Sequence, residues 1–122
     1  MNASEAAVFS QPGWWDGANR AYASLRAVNE LRLQFLHAWL GTSWPWADAT
    51  VVDLGCGGGL MAVPIARTGA RVLGIDGSRP ALQEARAQGG GAVFVTADLA
   101  AVPLRREGAD LVLLCDVVEH VQ

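Results

Sequence analysis

The segment of this chain best equipped for chemistry is Asp53-Leu54-Gly55-Cys56-Gly57-Gly58-Gly59. The β-branched pair Val51-Val52 leads into an acidic residue and then a loop made almost wholly of glycine. Glycine has no Cβ and accepts positive φ, so such a loop lets backbone groups close on a ligand. Residues 60–68 read as a helix, which would aim the positive end of its dipole at the same point. Together these features imply a nucleotide-like ligand.

Three further apolar runs end in Asp76, Asp98 and Cys115-Asp116. At the carboxyl end of a second strand, an acid can accept both hydroxyls of a ribose. After a third strand it can accept an adenine amino group, and Asp53 can attract an ammonium, directly or through water. The loop spacing is G-x-G-x-G through Gly55, Gly57 and Gly59. Leu60 stands where a dinucleotide fingerprint needs its last glycine. Carboxylates near one end suit a zwitterionic amino-acid tail better than a pyrophosphate, which disfavours a nicotinamide oxidoreductase. Farther on, Asp116, Glu119 and His120 fall at i, i+3 and i+4, one face of a helical turn. Such a face suits Mg²⁺ or another divalent cation. Alternatively, His120 is a general base for a phenolic hydroxyl. Plainer readings stand beside these: turn-forming aspartates, a solvated C-terminal turn, a Cys56 thiol facing away from the ligand, and a Cys115 that contributes backbone and shape.

The elements that must position these residues follow from hydrophobic period. From Ala18 to Leu40, Ala21, Leu25, Val28, Leu31, Phe35, Leu36 and Trp39 recur at three- and four-residue spacing. That pattern predicts one long helix ended by Gly41, with the stripe Leu25, Val28, Leu31 and Phe35 facing the core. Trp14 and Trp15 read as packing residues that staple a lid to the core. Beyond Asp48 the period alternates. Strands are expected at 50–54, 71–75, 92–96 and 110–115, and helices at 60–68 and 79–88. Ser78 and Pro80 mark the start of the second helix, and Pro64 should bend or open the first. Strands alternating with helices give a parallel sheet, whose ligand lies outside the carboxyl ends of its strands. The fold class is thus α/β, a Rossmann-like doubly wound sheet preceded by a helical N-terminal segment. The expected boundaries are a helical cap over 1–47 and a partial cofactor-binding domain over 48–122.

Composition narrows the function classes. The 122 residues are 52% hydrophobic and 17% charged, with a net charge of -3. That balance excludes disorder and gives nucleic acid no basic stripe to bind. All nine basic residues are arginine. A lysine Schiff base and a Walker-type phosphate loop are therefore excluded. Cys56 and Cys115 read as reduced thiols, no apolar run approaches the roughly 18 residues of a membrane span, and the start of the chain does not read as a signal peptide. The expected setting is cytoplasmic, or peripheral to a membrane.

Over roughly residues 48–122 the chain resembles the class I S-adenosylmethionine-dependent methyltransferases. Within them it is most similar to the ubiquinone-biosynthesis O-methyltransferase branch, which methylates phenolic hydroxyls on polyprenylated rings. The residues carrying the closer likeness are Trp14-Trp15-Asp16, Asn29-Glu30-Leu31-Arg32-Leu33, Asp53 to Leu60, and Cys115 to Val121. Glu30 stands where that branch usually carries proline. The resemblance implies cofactor contacts at Arg32, Gly55, Asp76 and Cys115, beside the positions Asp53, Gly57, Gly59 and Asp98 read from the strand ends. It also implies a divalent ion at the C-terminal triad and a phenolic, lipid-tailed acceptor. The family's sheet has seven strands, of which four are expected here, so the chain reads as a fragment. Its fourth strand would offer an open edge to a second copy or a partner chain. An inactive cofactor-binding or interaction module, or a methyltransferase acting on another class of small molecule, stays open beside the O-methyltransferase.

Overall fold

The computed structural model describes residues 12–101 and 108–114; Cys115, Asp116, Glu119 and His120 lie outside the described residues. Four parallel strands form the sheet: β1 (Thr50–Leu54), β2 (Arg71–Asp76), β3 (Val93–Thr96) and β4 (Leu111–Leu113), in the order β3-β2-β1-β4. The helices are α1 (Ala23–Leu40), α2 (Ala62–Ala66) and α3 (Arg79–Ala87), with a short 3-10 turn at Arg20–Tyr22 leading into α1. β1 is central, as the apolar Val51-Val52 pair requires, and β4 stands at one edge.

Register decides which residues face the helices. Val51 pairs with Val72 and Leu111, Asp53 with Gly74 and Leu113, and Gly74 with Phe94. Successive strand residues alternate faces, so these form one face. Its Val51, Val72, Phe94 and Leu113 share a core with Leu36 of α1, Val63 and Ile65 of α2, and Leu82 and Ala85 of α3. The opposite face carries Val93, Val95 and Val112, and these are exposed among the described residues, as is Leu114 just beyond β4.

α3 begins as its sequence dictates. The Ser78 hydroxyl accepts from Ala81 N at 3.3 Å, and Pro80 sits in the first turn, where its missing N–H costs nothing. The first helix of the alternating region differs from expectation. In place of a helix over 60–68, α2 spans only five residues. Pro64 falls in its first turn, and the end is closed by the Thr68 hydroxyl on Ile65 O at 2.6 Å and by Gly69 N on Ala66 O. So short a helix delivers little of the dipole expected of it, because the macrodipole builds up over many aligned peptides.

α1 corrects a second expectation. Of the stripe expected to face the core, Val28, Leu31 and Phe35 are exposed, at 40%, 64% and 71%, as is Trp39 at 69%, while Leu25 is half-buried. The buried side runs instead through Tyr22, Asn29 and Leu36, with Leu25, Leu33 and Leu40 packed beside it. Both series keep three- and four-residue spacing and lie about a third of a turn apart on a 3.6-residue helix. Asn29, only 6% exposed, made the true core arc the more polar-looking one. Its Nδ2 donates to Leu25 O at 2.9 Å, which removes the cost of burying the amide. Gly41 ends the helix at φ 82, with its N–H on His37 O. No helix among the described residues is long and apolar enough to cross a membrane.

These two arcs generate a direct comparison. Leu36→Ala is expected to lower unfolding free energy by about 2–5 kcal/mol, the range for a truncated core leucine. Phe35→Ala should change it by less than about 0.5 kcal/mol, as an exposed site does. Denaturant titration of the two variants measures both, and equal losses would return Phe35 to the core.

Candidate cofactor site

The glycine loop is built from the end of β1 and tied to the end of β2. Gly55 N and Cys56 N both donate to Ile75 O, at 2.7 and 3.0 Å. Gly57 N donates to Asp76 Oδ2 at 2.8 Å, and Ser78 N donates to Asp76 Oδ1 at 2.8 Å. Asp76 is therefore a strut between the loop and the start of α3. Each carboxylate oxygen has two lone pairs, so each keeps an acceptor site beyond these bonds.

The G-x-G-x-G spacing has a backbone cause. Gly55, Gly57 and Gly59 take φ of 75, 53 and 86, whereas Gly58 does not enter that region. Gly58 is glycine for another reason: a Cβ there would overlap the Trp14 ring, and one on Gly57 would come within 2.5 Å of it. Gly59 lets the loop approach the helices, since its Cβ would lie 2.9 Å from both the Ala85 Cβ and Val63 Cγ2. The space beside Gly57 and Gly58 is thus filled by an indole of this same chain.

That indole belongs to a strap running from Pro12 to Tyr22. Trp14 is 4% exposed and stacks on Tyr22 with ring centroids 4.4 Å apart. Trp15 Nε1 donates to Gly58 O at 2.7 Å. Gly13 N donates to Glu84 Oε1 on α3 at 2.8 Å, and Arg26 Nη1 of α1 donates to Trp14 O at 3.1 Å. The expectation that the tryptophans pack is met, and the partner of Trp14 is the glycine loop itself. Tyr22, Arg26 and Glu84 were not singled out from the sequence. The only available signal was that Tyr22 shares the arc of Leu25 and Asn29.

The other candidates sit as follows. Asp53 is buried on the core-facing side of β1, 3% exposed, beneath the loop. Asp98 is exposed just past β3, and its Oδ1 accepts from Ala100 N at 2.9 Å, capping the 3-10 turn Leu99–Ala101. It lies on the same sheet edge as Asp76, whose register partner is Thr96. Arg32 is half-buried on α1, and its Nη1 donates to Asn29 Oδ1 at 3.4 Å. Cys115 and the set Asp116, Glu119 and His120 lie outside the described residues. Among the described residues no three His, Cys, Asp or Glu side chains come together as a metal site.

Cys56 is a free thiol, buried under the loop with Sγ 3.7 Å from Gly57 O. Burial, reinforced by the Asp53 and Asp76 carboxylates, pushes it far above its usual 9.0. Burial and the two carboxylates thus favour the neutral thiol over the thiolate, which disfavours Cys56 as a nucleophile. Burial and Glu84 likewise raise Tyr22.

Comparison with known proteins gives this geometry its relatives. A family model described as a methyltransferase domain matches residues 52–122. The ubiquinone biosynthesis O-methyltransferase of Ralstonia nicotianae is 39% identical over 113 residues, covering 88% of this chain and 45% of that protein. The protein of the same name from Thiobacillus denitrificans is 43% identical over 88 residues, covering 70% and 36% respectively. The chain therefore spans less than half the length of these two relatives. Among solved structures, magnesium protoporphyrin IX methyltransferase from Synechocystis with bound SAM matches with a TM-score of 0.71 at 26% identity. That match covers 92% of this chain and 62% of the other.

The Cys56 environment sets a pH dependence. A thiol kept neutral by the fold contributes stability that is complete below its unfolded pKa and is lost as pH rises above it. Unfolding free energy should therefore fall above about pH 9, and Cys56→Ala should flatten that fall, leaving the part due to Tyr22. Denaturant titrations from pH 7 to 10.5 test this, and an unchanged alkaline slope would refute it.

Proposed function

This chain belongs to the methyltransferase domain family, and we propose that it is the cofactor-holding part of an S-adenosylmethionine-dependent O-methyltransferase acting on a phenolic small molecule. The observation that carries this reading is the glycine loop pinned to Asp76 across the carboxyl ends of β1 and β2. The relatives named for ubiquinone biosynthesis support the phenolic acceptor, and the neighbour solved with SAM supports the cofactor.

The donor set suits that cofactor. S-adenosylmethionine, when bound, supplies a methyl group on a sulfonium, open to in-line attack by an oxygen. Asp76, already oriented by two backbone N–H groups, has acceptor sites left for the two hydroxyls of a ribose. Asp53 places negative charge beneath the loop, where it favours an ammonium. The Arg32 guanidinium is suited to a carboxylate. Asp98 has its second oxygen for an adenine amino group, and Cys115 is carried over as a strand-end contact. In this reading, His120 takes the proton of the phenol, and the rest of the contribution is orientation and exclusion of water. A lipid-tailed acceptor would bring such a chain to a membrane surface without a span.

The alternative is a module that binds the cofactor without transferring a methyl group. Isothermal calorimetry with S-adenosylhomocysteine, followed by a radiolabelled transfer assay on catechol acceptors, separates the two. Binding with transfer supports the enzyme, binding alone supports the module, and no binding at millimolar concentration removes both. Asp76→Ala is expected to weaken S-adenosylhomocysteine by about 1.5–3 kcal/mol, the range for hydrogen bonds to a charged group. An unaltered affinity would mean the ribose is held elsewhere.

A further inference from the structure

We propose that Trp15 is a positioning residue for the cofactor loop, acting through the hydrogen bond from its indole N–H to Gly58 O. The inference rests on the reading of that loop as the cofactor site. The two halves of the loop are held by different elements. The first half is fixed by β2, through Ile75 O and Asp76. The second half is held by Gly59 N on Cys56 O at 3.0 Å and by Val63 N on Gly59 O at 2.9 Å, and it runs into a helix of only five residues with a proline in its first turn. Glycines at 57, 58 and 59 add backbone freedom that something outside the loop must remove.

The strap supplies that restraint. Trp15 Nε1 reaches Gly58 O at 2.7 Å in a half-buried setting, and the Trp14 ring lies flush on Gly57 and Gly58. The strap has its own fixings away from the loop. Glu84 holds Gly13 N, Arg26 holds Trp14 O and Asn19 O, and Asn19 Oδ1 caps the turn at Ala21 N. A restrained strap can therefore add a fixed point at Gly58, in the middle of the glycine run. The role of Gly58 follows from the same contact: with no Cβ, it lets the indole of Trp14 come close while its carbonyl meets Trp15.

Trp15→Phe keeps an aromatic ring and removes the N–H. Amide hydrogen exchange in the unaltered and substituted chains reads the loop without any ligand, and calorimetry with S-adenosylhomocysteine reads the site. The expected result is exchange at Gly57–Gly59 roughly tenfold faster and affinity roughly tenfold weaker, the effect of losing one hydrogen bond. The denaturation midpoint should fall by no more than the loss of one hydrogen bond, and exchange in β1 and β2 should rise by no more than it does at Gly57–Gly59. Unchanged loop exchange overturns the proposal, as does faster exchange with unaltered affinity. Global unfolding of Trp15→Phe also overturns it, because the residue would then support the whole fold. If the unaltered chain fails to bind S-adenosylhomocysteine, the cofactor reading falls on its own account, and the exchange comparison still decides whether Trp15 sets the loop.

Discussion

Three consecutive backbone donors hold this site together. Gly55 N, Cys56 N and Gly57 N turn back from β1 onto Ile75 O and the Asp76 carboxylate at the end of β2. A buried backbone donor without a partner would cost about 1–3 kcal/mol, so these bonds fix the direction in which the chain leaves the sheet. The approach of α2 and α3 depends on that direction, since Gly59 must fit between Val63 and Ala85. So does the seat of Trp14. The parallel order β3-β2-β1-β4 supplies the neighbouring strand ends that make such a turn possible.

The strands were legible because β-branched runs bounded by glycine and aspartate leave few other readings. β1 falls on its expected residues, and β2 gains only Asp76. α3 was legible from Ser78 and Pro80, which act locally. α1 was legible as a helix but not in its rotation. Periodicity finds an apolar arc, and two arcs of equal regularity can be told apart only by the surface they meet. Here the core took the arc that contains Asn29, at the cost of an amide that had to be satisfied within its own helix. α2 was overestimated because its apolar residues are buried whether helical or not, and Pro64 limits how many turns can close.

The site was legible in its parts and not in its division of labour. Glycine spacing suggested a loop open to a ligand, yet two of its glycines, Gly57 and Gly58, make room for an indole from more than forty residues upstream. Asp76 was marked as a ligand acceptor, and it is also a structural strut. Asp98 was marked as a purine contact, and one of its oxygens caps a turn. Such structural bonds have no sequence signature, because an aspartate reads the same in the chain whether or not its oxygens hold backbone N–H groups.

The strap also orders events in time. Its bonds to Gly58 and Glu84 span 43 and 71 residues of sequence, so closing them requires that most of the intervening chain already be in place. During synthesis the tryptophans leave the ribosome before their seat, which is completed only when α3 has emerged. Until then two large aromatic rings have nowhere to go but water or each other's company. The glycine loop thus reaches its final shape only after α3 has been made, although the tryptophans that help confer that shape lie more than forty residues before it.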